Sequence, residues 1–316
     1  MFTKNFKQLS KEDTNIAGGK GASLGEMMNS GIPVPPGFVV LSTTFDKFIN
    51  ESKLNEKIEK ILKIVNVNND DSANKASDKI KEMILGARVS MEVEKEINSE
   101  FKKLGAKFVA VRSSATAEDG ADHAWAGQLE SYLNTTEKDL LEKVKKCWAS
   151  LFTPRAIFYR IEKKLSRQKI SVAVVVQKMI ESEVSGVAFS VHPVTEDQNQ
   201  LIIEAGYGLG EAIVSGSITP DSYVVNKEEL KSDFIEINIA TQERQILRSA
   251  KGGVEWTGVA MIKQDKQKLS DRQIIELSKM IINIERHYGF PCDIEWAFEK
   301  GKFYIVQSRP ITTLSS

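Results

Sequence analysis

The residues best suited to chemistry lie near the C-terminus, in Cys292-Asp293-Ile294-Glu295-Trp296-Ala297-Phe298-Glu299-Lys300-Gly301-Lys302-Phe303-Tyr304-Ile305-Val306-Gln307-Ser308-Arg309-Pro310. Two runs rich in β-branched and aromatic residues flank a polar turn that contains Gly301, the pattern of a β-hairpin. Side chains alternate across a strand. In the first strand Ile294, Trp296 and Phe298 therefore share one face, and Asp293, Glu295 and Ala297 the other. In the second, Tyr304 and Val306 share one face, with Gln307 and Arg309 on the other. A hairpin that pivots on Gly301 sets Glu295 opposite Gln307 and Asp293 opposite Arg309. One face then packs into a core, and the other gathers two carboxylates, an amide oxygen and a guanidinium. Hard oxygen ligands suit Mg²⁺, and an adjacent arginine suits phosphate. The same alternation also fits a half-exposed hairpin whose charges simply face water.

Other stretches could bring phosphate-binding groups to such a face. Ala17-Gly18-Gly19-Lys20-Gly21-Ala22-Ser23 reads as a glycine-rich loop running into a short helix that ends at Gly31. Glycines let the backbone approach a ligand closely, and Lys20 can reach phosphate. Gly21 stands where a Walker A loop needs Ser or Thr, and a plain loop with an exposed lysine fits equally. Residues 108–111 form a short apolar strand that delivers Arg112 at its end. Ser113-Ser114-Ala115-Thr116-Ala117-Glu118-Asp119-Gly120 follows, either a cover over a phosphate chain or an ordinary surface loop. Residues 172–180 form a buried strand whose polar end, Gln177 to Ile180, can offer backbone groups to an adenine edge while Met179 packs on the ring; a core strand needs no such ligand. Residues 200–205 form another strand, entering Gly206-Tyr207-Gly208-Leu209-Gly210-Glu211. The third glycine of G-x-G-x-x-G is absent, which disfavours a dinucleotide fold. Alternate glycines still suggest close backbone approach, and Glu204 is either a ribose contact or a structural strand-end carboxylate.

The rest of the chain reads as scaffold. Prolines at 33, 35 and 36 lead into a buried strand at 37–40. Residues 42–104 are helical, with apolar positions such as Leu54, Ile58, Ile61, Leu62 and Val65 at helical spacing and a polar break at 66–74. Thr153 and Pro154 open a further helix. Residues 223–247 are strand-rich, and an amphipathic helix over 271–288 stops at Gly289. At 316 residues the chain is long enough for two lobes, divided near residue 180 into 1–180 and 181–316. Lys and Arg (43) balance Asp and Glu (43), so no global field points to nucleic acid or an anionic membrane; a local basic run at 163–169 reads as a solvated helix end. Two distant cysteines, Cys147 and Cys292, suggest free thiols in a reducing compartment. No apolar stretch approaches the ~18 residues of a membrane span and no signal-peptide core is visible, so the expected location is the cytoplasm. His123, His192 and His287 lack a second ligand at metal spacing and read as surface or packing residues.

Taken together, several ordered motifs resemble one family. Gly18-Gly19-Lys20-Gly21-Ala22, Pro35-Pro36-Gly37-Phe38, Val111-Arg112-Ser113-Ser114-Ala115-Thr116-Ala117-Glu118-Asp119 and Ala126-Gly127-Gln128 are similar to the N-terminal ATP-binding module of phosphoenolpyruvate synthase, pyruvate phosphate dikinase and rifampicin phosphotransferase. Glu204-Ala205-Gly206-Tyr207-Gly208-Leu209-Gly210-Glu211, Thr219-Pro220-Asp221 and Val306-Gln307-Ser308-Arg309-Pro310-Ile311-Thr312-Thr313 continue the likeness over essentially the whole chain. The resemblance implies an α+β ATP-grasp fold whose two lobes hold ATP. It implies Lys20, Arg112 and Arg309 on the phosphates, Glu295 and Gln307 as Mg²⁺ ligands with Asp293 nearby, Gln177, Met179 and Ile180 on the adenine side, and Glu204 as a nucleotide contact. Gly120-Ala121-Asp122-His123-Ala124-Trp125 departs from the Leu-Pro and Ser-Phe of that family. Family chemistry further implies a phosphate-carrying histidine in a partner protein or in C-terminal domains missing here, and a small-molecule acceptor such as pyruvate or a rifamycin. A catalytically silent nucleotide-binding module and an ATP-grasp ligase forming an acyl-phosphate are the alternatives.

Overall fold

The computed structural model describes residues 1–66, 69–116, 130–162, 171–231, 235–250, 252–312 and 314. The chain gathers into two units, Met1–Glu26 with Pro36–Met179 and Met27–Pro35 with Ile180–Ser316.

The first unit contains β1 (Thr3–Asn5), most of α1 (Thr14–Asn29), β2 (Gly37–Val40), α2 (Ser42–Glu51), α3 (Asn55–Lys63), α4 (Asp70–Gly86), α5 (Met91–Leu104), β3 (Val109–Ala115), β4 (Ser131–Thr135), α6 (Glu137–Ala149), α7 (Pro154–Glu162) and β5 (Val172–Lys178). Its strands pair antiparallel in the order β1-β2-β5-β3-β4. Central β5 is buried from Val172 to Gln177, which explains its unbroken apolar run. Val109 and Val111 of β3 and Val172, Val174 and Val176 of β5 face the helices, in one core with Phe48 and Trp148, which stack at 4.8 Å. By alternation Ala110, Arg112 and Ser114 turn to the other face.

Three local expectations change. The glycine run at 18–21 lies inside α1, which kinks at Gly18, and is not a loop. Arg112 sits mid-strand, because β3 pairs with β5 along its whole length from Val109 to Ala115. The polar break after α3 is shorter than expected: the Asn69 side chain accepts from Asp71 N–H at 3.0 Å and caps α4.

The second unit contains β6 (Val184–Phe189), β7 (Gln200–Tyr207), α8 (Glu211–Val214), β8 (Asp221–Asn226), β9 (Ile235–Asn238), β10 (Arg244–Arg248), β11 (Val254–Gly258), α9 (Met261–Gln264), α10 (Asp271–Tyr288), β12 (Cys292–Glu299) and β13 (Lys302–Pro310). Six strands pair antiparallel in the order β13-β12-β6-β7-β8-β9, and β10 and β11 form a separate ribbon. The Ser270 and Gln273 side chains close the start of α10 as a capping box. Its buried Ile274, Leu277, Ser278, Ile281, Ile282 and Ile284 recur at three- and four-residue spacing, and the helix packs on β7 and β12. Among the described residues no helix is long and apolar enough to cross a membrane.

Candidate functional site

β12 and β13 pair with Asp293 opposite Arg309 and Glu295 opposite Gln307, the register expected from the sequence. The route to it differs. A two-residue turn, Lys300 and Gly301 with φ of 50° and 77°, closes the hairpin in the manner of a type I′ turn. Beyond it Trp296 faces Ile305 while Glu295 faces Gln307, so Val306 is the extra residue of a bulge. The bulge reverses the alternation. Phe303 and Ile305, 2% and 0% exposed, therefore fill the core where Tyr304 and Val306 were expected, and Gln307 still reaches the polar face.

That face extends across the sheet. Gln307, Glu295, Val187, Glu204 and Ser222 are successive cross-strand partners and form one row. Arg309, Asp293, Phe189 and Ile202 form the adjacent row on the same face. The structure thus brings Glu204 into line with the hairpin residues from two strands away. Arg309 donates from Nε and a terminal nitrogen to Asp293 Oδ2, at 2.8 and 2.7 Å. Burial pushes the Asp293 carboxyl above the usual carboxylate range; Arg309 opposes the rise and the charge of Glu295 adds to it. Glu204 is pushed the same way by burial and by the charge of Asp293. Carboxylates crowded on a half-buried face favour a cation among them. Among the described residues no group of three or more His, Cys, Asp or Glu side chains forms a metal cage. Two carboxylates and an amide oxygen suit an ion such as Mg²⁺, which completes its shell with water and phosphate oxygens.

The first unit holds the remaining candidates. A Cβ at Gly18 (φ 65°) would stand 2.2 Å from Ser114 Oγ, so only glycine lets the kinked α1 lie against β3. The Gly21 N–H donates to Ser114 Oγ at 3.4 Å. Ser114 is two residues from Arg112 and shares its face; Gln177 pairs with Ala110 and lies on that face as well. Lys20 follows the kink by two residues, in the first turn of the straight helix, where amide dipoles favour anions. Lys20 and Arg112 are both half-buried. The chain leaves the first unit at Met179 and enters the second at Ile180. Lys178 N–H and Met179 N–H donate to Pro36 O and Phe108 O at 2.9 and 3.1 Å, so neither amide is a donor for a base edge. Residues 117–129, with Glu118, Asp119, His123 and Ala126-Gly127-Gln128, lie outside the described residues, as do the basic run and Thr313.

Residues 14–316 match the family described as the pyruvate phosphate dikinase AMP/ATP-binding domain. The chain belongs to that family. A probable phosphoenolpyruvate synthase of Methanocaldococcus jannaschii is 46% identical over 99% of this chain and 27% of its own length. The phosphoenolpyruvate synthase of Pyrococcus furiosus is 42% identical, with 99% and 44% covered. The rifampicin phosphotransferase of Bacillus cereus is 38% identical, with 99% and 36% covered. The chain thus spans less than half the length of these relatives. Its α+β architecture is that of the family's ATP-grasp type, and ATP is the ligand that the family description supports.

Two details of this dikinase-family domain were hidden in the sequence. Gly208, just after β7, meets another strand: a Cβ there would stand 2.5 Å from Ile246 O of β10, a packing demand that alternation cannot reveal. Behind the same sheet, Asp221 and Lys268 form an ion pair at 2.7 Å with both side chains fully buried. Asp221 was visible within Thr219-Pro220-Asp221, but nothing in the sequence marks Lys268, 47 residues on. His192 is explained locally, its Nδ1 accepting from Val194 N–H and Thr195 N–H at 3.3 and 3.1 Å. Cys147 and Cys292 are buried free thiols, and burial pushes Cys292 up to about 12.

Proposed function

We propose that this chain binds Mg-ATP as the nucleotide component of a dikinase-type phosphotransferase. The observation that carries the reading is the register that sets Glu295 beside Gln307 and Asp293 beside Arg309 on one sheet face. Glu295 and Gln307 would hold Mg²⁺ with Asp293 adjacent, and the bound metal would neutralise charge on the phosphates. Arg309, Lys20 and Arg112 would share the remaining charge as hydrogen-bonding cations. Gln177, Met179 and Ile180 would flank the base and Glu204 the ribose. The roles proposed for these groups are metal ligand, phosphate cation and base or ribose contact, so the chain's part would be positioning and electrostatics. A histidine on a separate domain or subunit would attack the β-phosphorus and take the diphosphoryl group as AMP leaves; the γ-phosphoryl would then pass to water as inorganic phosphate, and the β-phosphoryl to a small acceptor. The names of the relatives support pyruvate or a rifamycin as that acceptor. The reading is tested by calorimetric titration of ATP with Mg²⁺ into wild type, Glu295→Ala and Arg309→Ala. Each substitution removes a charged contact and is expected to weaken binding by about tenfold or more. Wild-type binding that neither change affects would move the nucleotide away from the hairpin and overturn the proposal.

A further inference from the structure

A buried polar cluster in the second unit lies on the sheet face opposite the proposed site. Asp221 opens β8 opposite Ala205, and the next pair is Ser222 with Glu204. Asp221 Oδ1 accepts from Lys268 Nζ at 2.7 Å and Ala240 N–H at 3.0 Å. Its Oδ2 accepts from Tyr223 Oη at 2.8 Å and Lys268 N–H at 2.9 Å. Lys268 Nζ also donates to Ala240 O and lies 5.6 Å from the centre of the Tyr207 ring. Gln242, 1% exposed, accepts from Tyr207 N–H at 2.8 Å and donates to Tyr207 O at 3.1 Å. The end of β7 is therefore gripped through its strand partner, its backbone and its aromatic ring.

A buried ion pair is a poor source of net stability, since desolvation offsets its attraction, but it fixes geometry when every oxygen is occupied. We propose that the Asp221–Lys268 pair is a positioning element for Glu204, holding the β7 end from the covered face so that Glu204 stays in line with Glu295 and Gln307. The inference rests on the nucleotide reading above.

The test is a mutant cycle on Mg-ATP affinity. Asp221→Asn/Lys268→Met removes both charges and leaves no lone buried ion. Tyr223→Phe is a milder change that keeps the ring and loses the hydroxyl's bonds to Asp221 and Leu269 N–H, so the test does not depend on the double variant alone. Each is measured alone and combined with Glu204→Gln, and melting temperature is followed in parallel. The expected result is an affinity loss of about threefold to tenfold for the positioning variants, which disappears in the Glu204→Gln background. A plain loss of stability would leave affinity at saturating folded protein unchanged, or would add to Glu204→Gln rather than vanish with it. Either outcome overturns the inference. If Glu204→Gln and Glu295→Ala themselves leave affinity untouched, the nucleotide reading fails first, and the two failures are told apart.

Discussion

Burial raises the carboxyls of Asp293 and Glu204 together, and the charge of Asp293 adds to the cost at Glu204. A carboxyl raised by folding holds its proton more tightly in the native state than in the unfolded chain. Its stabilising contribution is complete below the unfolded-chain value of about 4 and is lost as pH rises through the native one. The metal-free protein should therefore lose stability from these two groups as pH climbs from about 4 towards neutrality. Glu204→Gln should melt above wild type at pH near 7 and level with it near pH 4. Thermal melts across that range check the sign, and a variant that melts at or below wild type at neutral pH would contradict it. With Mg-ATP present the order should reverse, because a cation favours the ionised carboxylates that the substitution removes. Residues that cost stability alone and return it with ligand are what a binding site requires.

At the scale of elements, α1 carries the next prediction. Gly18 holds φ 65° with Ser114 Oγ 2.2 Å from where a Cβ would be. Gly18→Ala should cost about 1–3 kcal/mol from the backbone conformation alone, with the displacement of Ser114 added. Urea unfolding measures that loss, and Lys20→Met in parallel should lower Mg-ATP affinity while leaving the unfolding midpoint in place. A Gly18→Ala protein as stable as wild type would mean that the kink is not fixed by this contact. The elements differ in how far the sequence alone reveals them. The pairing of Glu295 with Gln307 could be read because residue type alternates strongly on both strands. The bulge at Val306 could not, since it is settled by which apolar residues, Phe303 and Ile305, fit the core beside Trp296. The glycines at 18–21 looked like a loop because intrinsic propensity disfavours glycine in a helix; contact with β3 overrides it. Arg112 looked terminal because Ser113 and Ser114 are poor strand formers by composition, yet β5 pairs with them to Ala115. The Asp221–Lys268 pair joins residues 47 apart, and only the fold brings them together.

For the whole molecule, the candidate groups divide between the two units: Lys20, Arg112, Gln177 and Met179 in the first, and Ile180, Glu204, Asp293, Glu295, Gln307 and Arg309 in the second. They comprise cations, acceptors and apolar surface, and their proposed chemistry is to hold a polyphosphate rather than to attack it. Binding and turnover should then separate. This chain alone should bind Mg-ATP yet release AMP at a rate orders of magnitude below the ~10 s⁻¹ typical of enzymes. Chromatographic separation of AMP, ADP and ATP over time measures both the rate and the bond that breaks. Adding the remainder of one of the longer relatives should accelerate AMP release if it carries the proposed phosphate-accepting histidine, and replacing that histidine by alanine should abolish the gain. Multiple turnovers by this chain alone at an enzymatic rate would place the acceptor within its own residues. Accumulation of ADP instead of AMP would point to ligase-type transfer of the γ-phosphate. A binding module whose nucleophile arrives from elsewhere gains a physical advantage from this division. On the proposed reading, a cation such as Arg309 can neutralise the phosphates without an attacking group competing for the same space, and slow AMP release by this chain alone would follow because the nucleophile and its general base arrive together from elsewhere.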